Sequence, residues 1–350
     1  MLRYCAPFPF LIAIPALYYL GGPIAPLGTI GILLIALVGA EWVLPLLRPE
    51  RRNEQPDLAF TGPSRGLPLL YIPMQLAVIA WALWIAAVGA HTLSGELSMI
   101  FSVGVIAGVF GMLAAHEMVH SPSRIHRTFA FAMLMGTATP QFRIAHVYGH
   151  HRFAGLARDA ATARLGESFY AFLIRTLPQQ WAESFAFEAR RCARRGRGPV
   201  HNRALRDALG LALLVGTLAF FSRRSAIFYV AESSVAIIVL ELFNYIAHYG
   251  LAGETRLDGQ RSRPVDALSW NSSNAIANLL IFNMGRHSDH HRRPALPYHR
   301  LVRVLDAPEL PFGYAGSILL ALFPPLWRRV MDRRVLDVRS EPATRIALAA

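Results

Sequence analysis

Six apolar segments, over roughly 7–22, 24–47, 68–90, 98–119, 207–222 and 225–248, limit what this chain can fold into. A helix crosses the hydrocarbon core of a bilayer with about 20 apolar residues. With 54% hydrophobic and only 16% charged residues, the chain is more apolar than an ordinary soluble domain. The segments are therefore expected to be transmembrane helices, of which the first and fifth are short. The stretch Thr128–Pro140 is too short to span and fits a re-entrant or interfacial piece. The first segment, from about Pro7 to Gly22, lacks a small-residue cleavage signature and reads as a retained membrane helix.

The charges orient these spans. The net charge is +13, and all 35 basic residues are Arg. A basic excess invites a nucleic-acid reading, but the arginines flank apolar segments, which is the positive-inside pattern of a membrane protein. Arg48, Arg51, Arg52 and Arg65 fall in one loop, and the regions 120–206 and 249–350 are Arg-rich. With six spans these regions and both termini share the cytoplasmic face. Arg223-Arg224 sits on the other side as a minor violation. The expectation is one integral-membrane domain over 1–350. Its first four spans lie within about 7–119. A cytoplasmic region follows at 120–206, then two spans within 207–248, then a cytoplasmic region at 249–350.

Nine of the 13 histidines form four clusters, each at or just beyond an apolar segment. They are His116 and His120, then His146, His150 and His151, then His248, then His287, His290 and His291. The topology above puts all four on the cytoplasmic face, although the histidines played no part in deriving it. His116/His120, His146/His150 and His287/His291 are each four apart, so each pair shares a helix face. Imidazole suits iron, zinc and copper, and nine ligands exceed what one tetrahedral zinc can use. Two metals with open positions fit better. Imidazole ligation with vacant positions suits redox iron that binds dioxygen. Soluble di-iron bundles use bridging carboxylates, whereas this set is nearly all neutral imidazole. Glu117, Asp159, Glu241 and Asp289 are candidates to orient imidazole N–H groups, and Asn244 lies on the helical face of Glu241 and His248. The expected architecture is all-α: a polytopic membrane protein of about six transmembrane helices, with a cytoplasmic histidine-rich helical cap holding a di-metal site.

Two cysteines, Cys5 and Cys192, exclude a disulfide framework, a Cys-rich metal site and an iron–sulfur centre on this chain. His91, His126, His201 and His299 lack partner spacing and are assigned to surface or structural roles. His116-Glu117-x-x-His120 also matches a zinc metalloprotease motif, with Leu257-Asp258-Gly259 as a candidate third-ligand tripeptide. That Asp sits in a polar loop, and the reading leaves seven clustered histidines idle. A metal transporter would place ligands along a path through the membrane rather than at one face.

The residues Asn244-Tyr245-x-x-His248-Tyr249-Gly250 and Arg286-His287-Ser288-Asp289-His290-His291, with Ser269-Trp270-Asn271-Ser272, resemble the integral-membrane alkane 1-monooxygenases of the AlkB type. These lie within the membrane fatty-acid desaturase/hydroxylase superfamily. The resemblance runs over about 98–300. It implies a non-haem di-iron centre of two Fe ions ligated by the nine histidines, and hydroxylation of a terminal methyl of n-alkanes with O2. It also implies electrons from rubredoxin with an NADH-dependent reductase, and a bacterial inner-membrane location. An apolar channel between spans would hold such a substrate, with Trp42, Trp81 and Trp84 as candidate stops. The family usually has Glu where this chain has Ala145 and Ala247. Xylene-type, terpenoid or fatty acyl substrates are the alternatives. The run Arg190, Arg191, Arg194, Arg195, Arg197 is a candidate docking site for a small acidic electron carrier, or for anionic lipid headgroups.

Overall fold

The computed structural model describes residues 2–39, 41, 65–89, 91–251 and 265–340. Trp42, the loop arginines Arg48, Arg51 and Arg52, and Leu257-Asp258-Gly259 lie outside them. The described residues are helical and contain no strand; a single bridge pairs Asn271 with Glu309. The helices are α1 (Phe8–Gly21), α2 (Gly28–Val38), α3 (Gly66–Val88), α4 (Leu93–Val119), α5 (Arg124–Gly136), α6 (Phe169–Arg194), α7 (Arg203–Phe221), α8 (Arg223–His248), α9 (Ala275–Leu280), α10 (His287–Arg292), α11 (Gly313–Ala321) and α12 (Pro324–Ser340).

Among the described residues four of these, α3, α4, α7 and α8, are long and apolar enough to cross a membrane, and shorter apolar helices over Phe8–Gly21 and Ala25–Val38 stand where the first two of the six expected segments were placed. The two shorter helices lie in the N-terminal part. There, the chain breaks at Gly22, where φ is +79°, and Pro23 follows. α1 has 14 residues, about 21 Å at 1.5 Å per residue, short of the roughly 30 Å of hydrocarbon. The stretch expected to be re-entrant is α5, which packs along the last two turns of α4.

The chain divides into two compact units. The first comprises Met1–Ala36, Pro63–Ile144 and Glu183–Leu240. α4 is its axis, and small residues explain why. Gly104 and Gly108 are four apart, and a Cβ on either would stand 2.6 Å from Glu232 O or 2.9 Å from Ala236 Cα of α8. This is the small-residue stripe that lets membrane helices approach closely. Thr92 caps α4, its hydroxyl accepting from Gly95 N, and Asn202 caps α7 by accepting from Leu205 N. A π-turn at Ala107–Gly111 inserts one residue into α4 and re-aims the turns that carry His116 and His120. α7 exposes Leu209, Leu213, Phe220 and Phe221 by 61–84%, as a surface facing lipid would. Arg224, the positive-inside violation, has local partners: Glu96 at 3.2 Å and Gly89 O.

The second unit comprises Leu37–Gly62, Ala145–Ala182 and Glu241–Ala350. A buried aromatic layer of Phe169, Phe172, Tyr245, Tyr249, Trp270 and Trp327 holds it together. Three of its polar aromatic tips are bonded: Tyr245 Oη donates to Glu167 O, Tyr249 Oη to Asp332, and Trp270 Nε1 to Tyr249 O. Gly250, at φ +68°, ends α8 just after His248. A Cβ there would meet Val335 at 2.7 Å, so the position needs glycine both for its left-handed backbone and for packing.

Candidate metal centre

Seven of the nine clustered histidines lie in the second unit. His150, His248, His287 and His291 are buried and bring one ring nitrogen each within 4.8 Å of one another. The Nε2 atoms of His248 and His287 are 3.1 Å apart, those of His287 and His291 3.1 Å, and those of His150 and His291 3.2 Å. His146, His151 and His290 form another group, with His151 Nε2 2.9 Å from His146 Nε2 and 3.1 Å from His290 Nε2. In the first unit, His116 and His120 share a face at the end of α4, with ring centroids 5.1 Å apart.

The grouping corrects the pairing read from spacing. His146 and His150 do not aim at one point. Residues 145–150 form a π-turn, whose i→i+5 register brings His146 onto the face of His151 instead. His150 turns the other way. Adjacent helical residues diverge by about 100°, so His150 and His151 serve different groups, and so do His290 and His291. His287 and His291 keep the expected i, i+4 partnership on α10.

Hydrogen bonds at the far ring nitrogens fix which nitrogens face inward. His248 Nδ1 lies 2.9 Å from Leu268 O, and a carbonyl only accepts, so Nδ1 carries the proton and Nε2 presents a lone pair. His150 Nδ1 donates to Asp159 Oδ2 at 2.9 Å, with the same result. Burial, and then the neighbouring imidazoles His151, His287, His150 and His248, hold His291 well below the usual imidazole range and therefore neutral. Lone pairs of neutral rings cannot crowd together at 3.1 Å without a shared donor or cation. A divalent ion bound by imidazole at about 2.0–2.1 Å would subtend about 100° between nitrogens spaced this way. The residues present thus fit a metal.

The surrounding acids take different roles. Burial pushes the Asp159 carboxyl up, but the electrostatic attraction of the His150 ring and hydrogen bonds from His150 and the Thr162 hydroxyl outweigh it and hold it below the usual carboxylate range. Glu241 accepts from Gln180 Nε2 at 2.8 Å and from Asn244 Nδ2 at 3.1 Å. Asp289 pairs with Arg293 and accepts from Val302 N, pinning the helix that carries three histidines. Glu117 forms a buried 2.7 Å ion pair with Arg65. Sequence reasoning missed Leu268 O, Gln180 and Arg65. A backbone acceptor carries no residue signal, and Arg65 reads only as a loop charge.

Asn271, in the motif Ser269-Trp270-Asn271-Ser272, braces the segment that carries three of the histidines. Its Oδ1 accepts from Ser288 N at 2.9 Å and its Nδ2 donates to Ser288 Oγ at 2.8 Å, clamping the first turn of α10. Of the Arg run, Arg190, Arg194, Arg195 and Arg197 are exposed. Arg191 is engaged by Glu188 at 2.6 Å and by His201 O. Trp84 is 56% exposed and Trp81 donates to Tyr19 Oη, so both belong to the outside of the helices rather than to a channel end. His126 bonds Ser121, His91 lies 3.3 Å from Ile85 O, His201 is exposed and His299 is buried.

Residues 91–318 match the family described as fatty acid desaturase. Alkane 1-monooxygenase 2 of Pseudomonas aeruginosa is 35% identical over 291 residues, covering 82% of this chain and 77% of that protein. Alkane 1-monooxygenase of Acinetobacter baylyi is 33% identical over 278 residues, covering 79% and 68%. The xylene/toluene monooxygenase hydroxylase component of Pseudomonas putida is 26% identical over 265 residues, covering 74% and 70%. The match spans the helices that carry every histidine cluster, and with relatives above 30% identity along most of their length, the chain belongs to the alkane 1-monooxygenases within the fatty acid desaturase family.

Proposed function

We propose that this multi-pass membrane protein is a non-haem di-iron monooxygenase that converts n-alkanes to primary alcohols. The observation that carries the reading is the convergence of buried imidazole nitrogens in two groups at the ends of apolar helices. His150, His248, His287 and His291 would hold one iron. His146, His151 and His290 would contribute to the other, with His116 and His120 as its remaining ligands. When bound, iron supplies the oxidising power that activates dioxygen. Asp159 and Leu268 O keep the proton of their histidines on Nδ1, so that Nε2 remains a donor. Asn271 and Asp289 hold α10 in register. Apolar helices offer an alkane no polar handle, only shape, and position its terminal carbon.

The reaction RH + O2 + 2e− + 2H+ → ROH + H2O needs two electrons from outside, because the sequence carries no flavin, haem or dinucleotide signature. We assign rubredoxin or a similar small acidic carrier, with its NADH-dependent reductase, to that role. Arg190, Arg194, Arg195 and Arg197 are the candidate docking residues on α6 and just after it. The inner membrane is the proposed location, with both termini and the metals cytoplasmic, a reading that the arginine bias supports.

The test is product analysis by gas chromatography of membranes supplied with rubredoxin, reductase, NADH and a mixture of C6–C16 n-alkanes, xylene and a fatty acid methyl ester. Primary alcohols from the alkanes, accompanied by iron in the purified protein, support the reading. A His248→Ala variant should lose iron from one group together with turnover, and full activity in it would refute the ligand assignment. The second reading is an aryl-methyl substrate, favoured by the xylene/toluene relative and by Ala145 and Ala247 in place of the usual Glu. Oxidation of xylene alone would select it.

A further inference from the structure

We infer that α12 is an interfacial helix whose outer face binds the phosphate groups of anionic phospholipids. The depth of this helix follows from α8. That span has 26 residues, about 39 Å, against roughly 30 Å of hydrocarbon. Its first end is fixed at one interface. Arg224 pairs there with Glu96, both partly exposed, and Ser225 Oγ donates to Leu83 O, two residues from Trp81 and its Tyr18 and Tyr19 partners. Trp, Tyr and Arg of this kind mark the headgroup level. About 20 residues further on, near 243, α8 leaves the opposite side of the hydrocarbon. Its last turn, together with Tyr249 and Gly250, therefore lies among headgroups.

α12 is packed against that turn. Trp327 packs against Tyr245 and, edge-on, Tyr249 with ring centroids 5.5 and 5.2 Å away, Tyr249 Oη donates to Asp332 at 2.6 Å, and Val335 fits over Gly250. Trp327, Met331 and Val335 are fully buried and define the inner face. The stripe at Leu326, Arg329, Arg333 and Leu336 runs i, i+3, i+7, i+10 along the opposite face, and all four are exposed, Leu326 by 52% and Leu336 by 55%. Two leucines and two arginines on one outward stripe, held at headgroup depth, match the phospholipid boundary: the leucines meet acyl chains and the guanidiniums meet phosphates. An acidic protein would complement the arginines but would leave the leucines unaccounted for.

The experiment is hydrogen exchange of the full-length protein in nanodiscs of phosphatidylcholine, with and without phosphatidylglycerol. Amides within 324–340 should exchange more slowly in the anionic discs, on the order of fivefold, the factor that one arginine near an anionic surface supplies. R329Q/R333Q should abolish that difference while leaving exchange in α4 unchanged, and native mass spectrometry should show fewer retained phosphatidylglycerol molecules. Equal exchange in the two disc types would overturn the proposal. So would a slowing that the double variant retains, or protection that arises only when an acidic electron carrier is added.

Discussion

Asp159→Asn removes a charge from beneath a clustered histidine while keeping the side chain's shape. In the native site Oδ2 accepts from both His150 Nδ1 at 2.9 Å and Thr162 Oγ1 at 2.6 Å, and Oδ1 accepts from Ala161 N at 3.2 Å. All three partners donate. An amide offers only one acceptor atom: if its oxygen faces His150 and Thr162, its NH2 opposes Ala161 N–H, and the reverse placement strands His150. In the first placement the variant loses one hydrogen bond and the charge assistance of the other two. A hydrogen bond to a charged group is worth about 1.5–3 kcal/mol. That corresponds to roughly 10- to 100-fold weaker metal retention, the range typical of lost partners behind a ligand. The assay is iron per chain by plasma mass spectrometry after graded chelator dialysis, alongside product formation. Thr162→Val serves as a control that removes a donor yet leaves the carboxylate. Asp159→Asn with native iron retention and turnover would refute the claim that this carboxylate sets the donor nitrogen of His150.

Two other consequences follow from packing and charge. Gly108→Leu should destabilise the first unit by about 2 kcal/mol or more, read as a lower melting temperature in detergent, because any side chain there enters the backbone of α8 at Ala236. Burial pushes the Glu188 carboxyl up, yet hydrogen bonds from Arg203 and Arg191 outweigh it and bring it down to about 2 from an ordinary 4.5. A depressed carboxylate contributes stability that is complete above pH 4.5 and lost as pH falls toward 2. Thermal unfolding of the native protein should therefore lose more stability across that window than Glu188→Gln, and parallel acid profiles would contradict this.

The chemistry was more legible in the sequence than the geometry. The apolar runs located the four long helices, because a run of about 20 predominantly apolar residues has few alternatives to a span, and HYG marked the end of α8 because only glycine fits the turn at Gly250. The N-terminal break at Gly22-Pro23 was legible too, and the structure places an apolar helix on each side of it. Which histidine serves which group was not legible. Spacing of four assumes an α-register, and a π-turn at 145–150 changes the answer without changing composition. Glu117 looked like a partner for imidazole. Its hydrogen bond to Arg65 joins residues 52 apart in sequence, a contact that no local pattern encodes.

The fork at adjacent histidines has a mechanical consequence for a centre built as proposed. His150 and His151 leave one turn of backbone toward different groups, and His290 and His291 do the same on α10. A rotation of either segment that improves one group must disturb the other, because the approximately 100° between neighbours is fixed by the helix. The two metals are thus tied together by shared backbone, with no need for a carboxylate ligand between them. Rigidity of those two short segments then matters more than any single ligand bond. The segments are secured on that principle: Asp159 and Thr162 brace His150, while Asn271, Asp289 and Arg293 brace α10 from both ends. Glu241 and Asp289, the other acids of the second unit's candidate set, are engaged by Gln180, Asn244 and Arg293. In a centre built as proposed, imidazole rather than carboxylate would then face the ions. The positive charge that such ions would retain would suit the anionic carrier proposed above.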